Sequence, residues 1–288
     1  MMYWIYLLLR HLATHCPAGC TRGLSRILGY CAYLFSRQQR ENVLANLKHI
    51  LPPGTSERDR KQKARSVFIN FYLYLFEFFS IKSIDLDQAK TLMAPNTVEM
   101  FNRFSRDRQP FIIVSGHLGN WEIAAFALDA LGFVNNLVYL PHTDKRTNDL
   151  FINSRSYRQT RLVSLGMGLK NAFKGLKKGE ILTMVGDWGV GESTGIEVLF
   201  FGRLTRFPCG PAEIAVKTKV SILPGFSVRE GNNKFFIGCE EPLAWNKQAS
   251  EEEQIKSITQ SYAAILEKQV RSHPEQWLIF TRIWPEQN

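Results

Sequence analysis

FIIVSGHLGNWE, at residues 111–122, is the stretch of the sequence that decides the fold. Its first five residues form a short continuous apolar run, which is typical of a strand buried on both faces. Gly116 and His117 follow, and a helical pattern then continues to about Leu131. Because a strand that leads into a helix is the building unit of an α/β sheet, this region predicts one such unit.

The same alternation continues toward the C-terminus. We predict further strands at residues 137–141, 162–165, 181–185, 221–224, 227–229, 235–239 and 279–284. Helices are predicted at residues 148–157, 168–178, 211–217 and 251–273. Strands that alternate with helices predict an α/β fold whose central sheet is largely parallel and flanked by helices.

The N-terminal part of the chain has a different pattern. Residues 22–50 carry apolar side chains at helical spacing with arginines between them, which predicts an amphipathic helix. A break follows, and Ser56 is the expected N-cap of a second helix at residues 57–80. The sequence therefore predicts an N-terminal amphipathic, helical, membrane-associating segment at residues 1–85 and an α/β core, one structural unit, at residues 86–288.

Two features of this N-terminal segment have two interpretations each. Its basic amphipathic helix suits the surface of an anionic membrane, but an ordinary surface helix packed on the core has the same pattern. The second half of the helix at residues 57–80 is rich in aromatic side chains. These side chains form either buried core or a face that dips into a membrane, and we favour burial because burial dominates folding energetics.

Charge is distributed unevenly along the chain. Residues 1–65 hold 11 basic and three acidic residues, so this quarter carries +8 of the net charge of +10. A basic end predicts an anionic partner such as a membrane surface, a nucleic acid or an acidic protein. No helix-turn-helix, RNA-recognition or zinc pattern accompanies the charge, so a nucleic-acid partner is not expected.

Length and composition exclude several classes of protein. A chain of 288 residues with 45% hydrophobic and 22% charged residues is neither globally disordered nor a collagen or coiled coil. No apolar run approaches the roughly 20 residues of a membrane span, which excludes a polytopic membrane protein, and a secretory signal is not expected. The five cysteines lack metal-site spacing, so we expect a reducing compartment and no metal site.

Residues with catalytic potential are concentrated where the first strand meets its helix, at the edge of the sheet where ligands gather. His117 and Glu122 are five residues apart, and they can meet if His117 lies in the loop and Glu122 in the first helical turn. Gly116 and Gly119 give the backbone the freedom for that turn. A carboxylate on one imidazole nitrogen supports proton uptake by the other, so this pair can deprotonate a hydroxyl. A single histidine near a glutamate is nevertheless more often structural.

The motif has a counterpart in a known family. His-Leu-Gly-Asn-Trp-Glu at residues 117–122 resembles the His-x4-acid (HX4E) signature of the lysophospholipid acyltransferase superfamily, in the form found in bacterial lipid A biosynthesis (lauroyl/myristoyl) acyltransferases. The resemblance spans about residues 20–285. Similar segments follow in family order at residues 40–47, 138–141, 177–180, 187, 200–202, 208, 210–211 and 273–277.

This resemblance implies an O-acyltransferase that moves a fatty acyl chain from acyl-acyl carrier protein or acyl-CoA to a hydroxyl of a cell-envelope lipid. His117 is then the general base, Glu122 orients and charges it, and no cofactor besides the acyl donor is expected. Asp187 is expected to help shape the acceptor site. The other residues that the resemblance assigns to substrate binding are Asn120, Arg155, Arg158, Gly202, Arg203, Gly210 and Pro211.

Three positions depart from the family pattern. Leu140 stands where the family commonly has Arg, and Thr281 and Ile283 stand where lipid A enzymes often have His and Arg. These differences fit a less anionic acceptor than lipid A, such as another glycolipid, a lysophospholipid or an aminolipid. The implied location is the cytoplasmic face of the bacterial inner membrane, with a peripheral or shallow anchor.

Other functions stay open at this point. The lysines on one side of the helix at residues 168–178 suit either an acidic carrier protein or simple solvation. A hydrolase would use water in place of the lipid acceptor, although no serine elbow or metal cluster supports one. In a non-enzymatic lipid-binding relative, His117 would have no role.

Overall fold

The computed structural model describes residues 2–166, 168–187, 195–230 and 234–284 of the chain. Its α-helices are α1 (Met2–His15), α2 (Ala18–Phe35), α3 (Arg37–Ile50), α4 (Glu57–Ser80), α5 (Leu86–Lys90), α6 (Pro95–Arg106), α7 (Trp121–Ala130), α8 (Lys145–Ser154), α9 (Leu169–Leu176), α10 (Gly210–Thr218) and α11 (Glu251–Ser272). Its strands are β1 (Phe111–Ser115), β2 (Asn135–Tyr139), β3 (Thr160–Ser164), β4 (Ile181–Val185), β5 (Ile196–Phe200), β6 (Arg203–Phe207), β7 (Ser221–Arg229) and β8 (Phe235–Cys239).

Six of these strands form the central sheet, in the order β3-β2-β4-β1-β7-β8. All neighbours in it run parallel except β7 and β8, which are antiparallel. The predicted fold class, a largely parallel sheet flanked by helices, is confirmed. Ser115 at the end of β1 lies in register with Val185 at the end of β4. The loops that leave these two strands therefore begin side by side at the carboxyl edge of the sheet.

β1 is buried along its whole length, as its continuous apolar run predicted. Phe111 and Ile113 share a hydrophobic cluster with side chains of α6 and α7. Ile112 and Val114 belong to a second cluster, which contains side chains of α10 and α11. The alternation of side chains along a strand thus places one helical layer on each face of the sheet.

The N-terminal helices differ from the prediction in one respect. The single helix predicted at residues 22–50 is divided into α2 and α3, because Ser36 leaves the helical conformation with φ −95° and ψ 74°. The predicted start of α4 is confirmed, since Ser56 Oγ accepts a hydrogen bond from the backbone N–H of Asp59 at 3.1 Å. In addition, α2 begins at Ala18, which is earlier than predicted, and α3 begins directly after the break, at Arg37.

The aromatic half of α4 is buried. Phe68, Tyr74, Phe76, Phe78 and Phe79 are all at most 5% exposed and pack in one cluster with side chains of α1, α3 and α8. Burial, the interpretation that the sequence favoured, is confirmed for these residues. α4 thereby joins the N-terminal helices to the sheet-bearing part of the chain.

The predicted strand at residues 279–284 is wrong, because this segment has no regular structure. Its backbone is held by side chains of α3 instead: Asn42 donates to the carbonyl of Phe280 at 2.9 Å, and Asn46 donates to that of Thr281 at 2.8 Å. Asn46 also accepts from the N–H of Ile283 at 3.0 Å. Asparagine amides thus satisfy the groups that a neighbouring strand would have paired.

Three other strands differ from the prediction. The segments at residues 221–224 and 227–229 form the single strand β7, which continues through Pro224 and Gly225. The strands of the antiparallel hairpin β5–β6 were not predicted. This hairpin forms a sheet of its own beside the central one.

A helix that crosses a bilayer needs about 20 predominantly apolar residues. In the part of the chain that the structure describes, no helix combines the necessary length with the necessary hydropathy.

Candidate active site

His117 and Asp187 meet at the carboxyl edge of the sheet. They follow β1 and β4, and the register of these strands brings the two loops together. The imidazole Nδ1 of His117 lies 2.7 Å from Asp187 Oδ1. Because an ionised carboxylate can only accept, Nδ1 carries the proton, and Nε2 is the basic nitrogen of the neutral ring.

Asp187 is held rigidly in this position. Its Oδ2 accepts hydrogen bonds from the backbone N–H of His117 at 2.7 Å and from the indole N–H of Trp277 at 2.9 Å. The carboxylate side chain is fully buried, whereas the His117 side chain is 26% exposed. A buried, fully hydrogen-bonded carboxylate next to a partly exposed imidazole is the arrangement that orients a histidine base.

Two glycines make the loop after β1 possible. Gly119 has φ +66°, and a Cβ at this position would lie 1.8 Å from the carbonyl oxygen of Ser227. At Gly116, a Cβ would lie 3.0 Å from Asp187 Oδ2. Any larger residue at Gly119 must therefore move β7 or the loop. The backbone freedom predicted for the loop is needed for this close approach.

Asn120 is completely buried beneath the loop. Its side-chain oxygen accepts from the N–H of Ile123 at 3.3 Å and thereby caps α7, and its amide donates to Glu77 Oε2 at 2.9 Å. Arg229 also donates to the Glu77 carboxylate, at 3.1 Å and 2.5 Å. Both ends of the Asn120 amide are thus occupied by protein groups. Its contacts are those of a residue that positions the loop, and contact of Asn120 with a substrate stays a prediction.

Glu122 does not contact His117 in the predicted way. It is 1% exposed, and its carboxylate accepts three hydrogen bonds from Arg155 at 2.6–3.1 Å and one from the Tyr74 hydroxyl at 3.4 Å. Glu122 lies on α7, the helix that turns it away from the β4 loop, and Asp187 takes the place beside the imidazole instead. The predicted pairing of His117 with Glu122 is therefore corrected to a pairing of His117 with Asp187.

The environment of Glu122 shifts the pKa values of its neighbours. Burial lowers the pKa of Arg155, but the charge and hydrogen bonds of Glu122 outweigh burial, so the net pKa is raised. Burial, and then the charge of Glu122, raise the pKa of Tyr74 well above its usual value. The Arg155 guanidinium carbon also lies 5.3 Å from the centroid of the Phe78 ring and 5.7 Å from that of the Phe151 ring. Arg155 is thus held by hydrogen bonds and ring contacts as the partner of Glu122.

Arg155 and Arg158, two of the three arginines assigned to substrate binding, have different surroundings. Arg155 is the partner of Glu122, and its side chain is only 13% exposed. Arg158 is exposed, and its backbone N–H donates to Asp129 at 3.2 Å. The structure does not bring either guanidinium into contact with His117, and a substrate role for Arg158 stays a prediction.

The remaining predicted residues lie in two turns near the site. Gly202, with φ +71°, and the half-buried Arg203 form the turn of the β5–β6 hairpin. Gly210 and the buried Pro211 begin α10, and a Cβ on Gly186 would lie 3.5 Å from the Pro211 ring. The α10 turn is thus next to the β4 loop, while contact of these four residues with an acceptor stays a prediction.

Aromatic residues that the sequence did not single out complete the site. The Trp121 ring stands edge-on to His117 at 4.9 Å between centroids and stacks on Tyr74 at 4.4 Å. Trp277 donates to Asp187, and the buried Tyr262 donates to the carbonyl of Ser115 at 2.7 Å. The one sequence signal that could have pointed to Trp121 and Trp277 as site residues is that both lie within segments that resembled the family.

A narrow apolar cavity lies beneath the site. It crosses the face of the sheet under α7, from Trp121 and Val185 at the site to Cys239 on β8. Gly225 lines this cavity at a tightly packed point, because a Cβ there would lie 2.7 Å from Cys239 Sγ and 2.9 Å from Ile113 Cγ2. The free volume of the cavity is about 30 Å³, so a hydrocarbon chain would enter only if the surrounding side chains moved apart.

Comparison with known proteins gives a family and two distant relatives. The family model described as bacterial lipid A biosynthesis acyltransferase matches residues 1–286. Phosphatidylinositol mannoside acyltransferases of two Mycobacterium tuberculosis strains, CDC 1551/Oshkosh and ATCC 25618/H37Rv, are each 25% identical over 177 residues. The alignment covers 60% of this chain and 54% of each relative, so the chain spans about half the length of the curated relatives it matches.

The family match extends over nearly the whole chain, well beyond the His117 loop. It includes the β4 loop with Asp187 and the C-terminal segment with Trp277. The predicted resemblance is confirmed, and the names of the family and of the two relatives agree with the predicted class of enzyme, an acyltransferase. The chain belongs to the bacterial lipid A biosynthesis acyltransferase family.

Proposed function

We propose that this protein transfers a fatty acyl group from a thioester to a hydroxyl of a cell-envelope lipid, with His117 as the general base. The observation that carries the proposal is the hydrogen bond between His117 Nδ1 and the buried Asp187, which leaves Nε2 basic at the carboxyl edge of the sheet. In this scheme Glu122 is a structural residue, and Asp187 has the role that was predicted for Glu122.

The chemistry needs one proton to move twice. Nε2 takes the proton of the acceptor hydroxyl while the oxygen attacks the thioester carbonyl, and Asp187 stabilises the imidazolium that forms. The tetrahedral intermediate then breaks its C–S bond, and Nε2 returns the proton to the leaving thiolate. General acid–base assistance of this kind contributes about 10²–10⁴-fold to the rate. Substrate positioning has to supply much of the remainder.

The acyl chain of the donor is proposed to enter the apolar region under α7, where the side chains around the small cavity would move apart to admit it. Its lining is almost entirely apolar, and Trp121 lies both at the cavity and against the His117 ring. A chain that enters past Trp121 would place its thioester next to the imidazole. Narrowing this region from the α7 side, as in Ala124→Val, should therefore shorten the acyl chains that are transferred. Mass spectrometry of the product tests this expectation.

The acceptor is proposed to be a glycolipid. The mycobacterial relatives are named for acylating a phosphatidylinositol mannoside, which is a glycolipid. Leu140, Thr281 and Ile283 lack the charges of the lipid A pattern, so an acceptor less anionic than lipid A is favoured. Lysophospholipid and aminolipid acceptors are the alternatives that the product analysis distinguishes.

The donor carrier is proposed to be acyl carrier protein. α9 buries Ala172 and Leu176 against the sheet. Its opposite side and the turn after it expose four lysines: Lys170, Lys174, Lys177 and Lys178. Such a face complements an acidic carrier protein, and its contribution should decrease with salt. Coenzyme A thioesters are the alternative donors.

The protein is proposed to attach to the cytoplasmic face of the inner membrane through α1 and α2. Large apolar side chains of these helices are exposed: Met2, Trp4, Ile5, Leu8, Ile27, Tyr30, Leu34 and Phe35. Basic residues lie among them, so the surface combines apolar insertion with attraction to anionic lipid. Deleting residues 1–20 should release protein from membranes, whereas unchanged partitioning would contradict this attachment.

A lipidomic comparison tests the function. The wild type and His117→Ala are expressed in a host without paralogues, and the membrane lipids are compared by mass. We expect one lipid to gain an acyl unit with the wild type alone. Thioester loss without an acylated lipid would favour a hydrolase. Equal products from two folded proteins would instead favour a lipid-binding relative in which His117 has no catalytic role.

A further inference from the structure

The β5–β6 hairpin has two very different faces. Its inner face is buried and includes Val198, Phe200 and Phe207. On its outer face Leu199 and Leu204 are cross-strand partners that are 55% and 69% exposed. Two leucines side by side on a strand pair, both largely exposed, are an unfavourable arrangement in water unless something covers them.

This exposed pair is held in a fixed position. The Gln260 side chain on α11 accepts from the N–H of Leu199 at 2.8 Å and donates to its carbonyl at 2.9 Å, as a neighbouring strand would. Glu267 accepts from the N–H of Phe201, at the hairpin turn. The leucines are therefore presented by a braced element and not by a loop that could fold them inward.

The hairpin is also connected to the candidate active site. Phe200, on the inner face, packs against Trp277 at 5.8 Å between ring centroids, and Trp277 donates to Asp187. Leu199 is the next residue in the strand, on the opposite face. The exposed leucines are thus one side-chain layer away from the residues that hold the His117 partner.

The charged residues around the leucine pair carry a small positive excess. Arg203 precedes Leu204 at the start of β6, Arg206 follows it on the same outer face, and the Arg271 guanidinium lies 4.6 Å from the Phe201 ring. Glu197 pairs with Arg206 and Glu267 pairs with Arg271, so these five groups carry a net charge of +1. Exposed apolar side chains with flanking arginines and no excess of negative charge suit the headgroup region of an anionic bilayer.

We propose that the β5–β6 hairpin is a second membrane contact, in which Leu199 and Leu204 enter the interface of an anionic bilayer beside the active site. Two leucines are far too small for a stable protein–protein interface, which buries roughly 1,200–2,000 Å². They are sufficient for shallow insertion at the headgroup boundary. This inference rests on the proposed function, because it gives the acceptor lipid a route from the bilayer to His117.

Bilayer insertion is tested with the full chain carrying Leu204→Trp, on vesicles of phosphatidylcholine and phosphatidylglycerol with brominated acyl chains. We expect the added tryptophan fluorescence, relative to the wild type, to be quenched by these vesicles and less by phosphatidylcholine alone. As a control, Phe236→Trp places a tryptophan at an exposed position of β8 and should show no added quenching. No quenching at Leu204, or no binding to the vesicles, would overturn the proposal.

The effect of the leucine pair on acyl transfer is tested with the double variant Leu199→Ser and Leu204→Ser. The matched control is the double variant Leu165→Ser and Phe236→Ser, which changes exposed apolar residues elsewhere in the protein. Transfer to an acceptor in vesicles should fall roughly tenfold in the hairpin variant only, given the apolar area lost. Transfer to the same acceptor in detergent should be unchanged. An equal loss in detergent would assign the leucines to a protein partner and overturn the proposal.

These readouts separate the proposal from the proposed function. Quenching at Leu204 in a wild type that transfers no acyl group would leave the membrane contact standing while the proposed function fails. Transfer by the wild type without quenching at Leu204 would support the proposed function and overturn the membrane contact.

Discussion

Two carboxylates approach the loop after β1, and their surroundings differ. Asp187 accepts from one ring nitrogen of His117, a side chain that is partly exposed. Glu122 accepts from the guanidinium of Arg155, and both members of that pair are nearly or fully buried. A carboxylate beside a titratable, accessible base can take part in proton transfer, whereas one fixed to a permanently charged arginine stabilises the fold.

The comparison shows that position in a motif does not define a role. Glu122 belongs to the segment that resembled the family signature, but Asp187 comes from another strand and lies beside the imidazole. Changing each carboxylate should therefore affect different properties of the protein. Asp187 should control turnover, and Glu122 should control stability.

The largest effect should come from Asp187→Asn. Asp187 Oδ2 accepts from Trp277 Nε1 and from the backbone N–H of His117, so the amide oxygen of Asn should take that position. The NH₂ group would then face Nδ1, and the proton of the ring would move to Nε2. We expect the acyl transfer rate to fall about 10²–10⁴-fold, measured by product formation at saturating donor. An unchanged rate in a folded variant would remove Asp187 from the mechanism.

Glu122→Gln should act on stability instead. It leaves the buried charge of Arg155 without its counter-ion, which costs about 3–5 kcal/mol of unfolding free energy. Urea unfolding measures this loss, and Glu41→Gln, which removes an exposed partner of Arg37, should leave the curve unchanged. A stable Glu122→Gln protein without activity would return Glu122 to the catalytic role.

Gly119→Ala tests whether the loop that separates the two carboxylates is rigid. The added Cβ would meet the Ser227 carbonyl and would occupy a backbone conformation with φ +66°. We expect a loss of about 1–3 kcal/mol together with reduced activity, because the loop that carries His117 must shift. The matched variant Gly132→Ala has a similar φ of +86° but open space around its Cβ. An equal loss in both variants would mean that the close approach to β7 has no effect of its own.

Tyr74→Phe should have the smallest effect. The hydroxyl makes one long hydrogen bond of 3.4 Å to Glu122, which Arg155 already satisfies. We expect the unfolding free energy to fall by about 0.5–1.5 kcal/mol, measured by urea unfolding, with unchanged turnover. A large loss of activity would show that the Glu122 pair and the His117 site are not separate.

The strands and helices with strong local patterns could be predicted from the sequence. β1, β4 and α4 begin and end at or near the predicted residues, because a continuous apolar run and a capped helix are local signals. The strand predicted at residues 279–284 was wrong for a non-local reason. Asn42 and Asn46, more than 200 residues away in the chain, supply the hydrogen bonds that hold it.

The candidate site was predicted in part for the same reason. His117 could be found because its motif is contiguous, and Asp187 because it matched an acidic residue of the family that the sequence resembles. That these two would pair depended on the β1–β4 register, which no short-range pattern contains. The β5–β6 hairpin was missed because its sequence does not alternate apolar and polar residues as its burial does: Leu199 and Leu204 are exposed, whereas Thr205 is buried.

The pairing of His117 with Asp187 is the central claim, and nitrogen NMR of the imidazole tests it most directly. In protein labelled with ¹⁵N-histidine, His117→Gln assigns the signal among the six histidines. The wild type and Glu122→Gln should both carry the ring proton on Nδ1, and Asp187→Asn should move it to Nε2. A tautomer that changes in Glu122→Gln but not in Asp187→Asn would contradict the account.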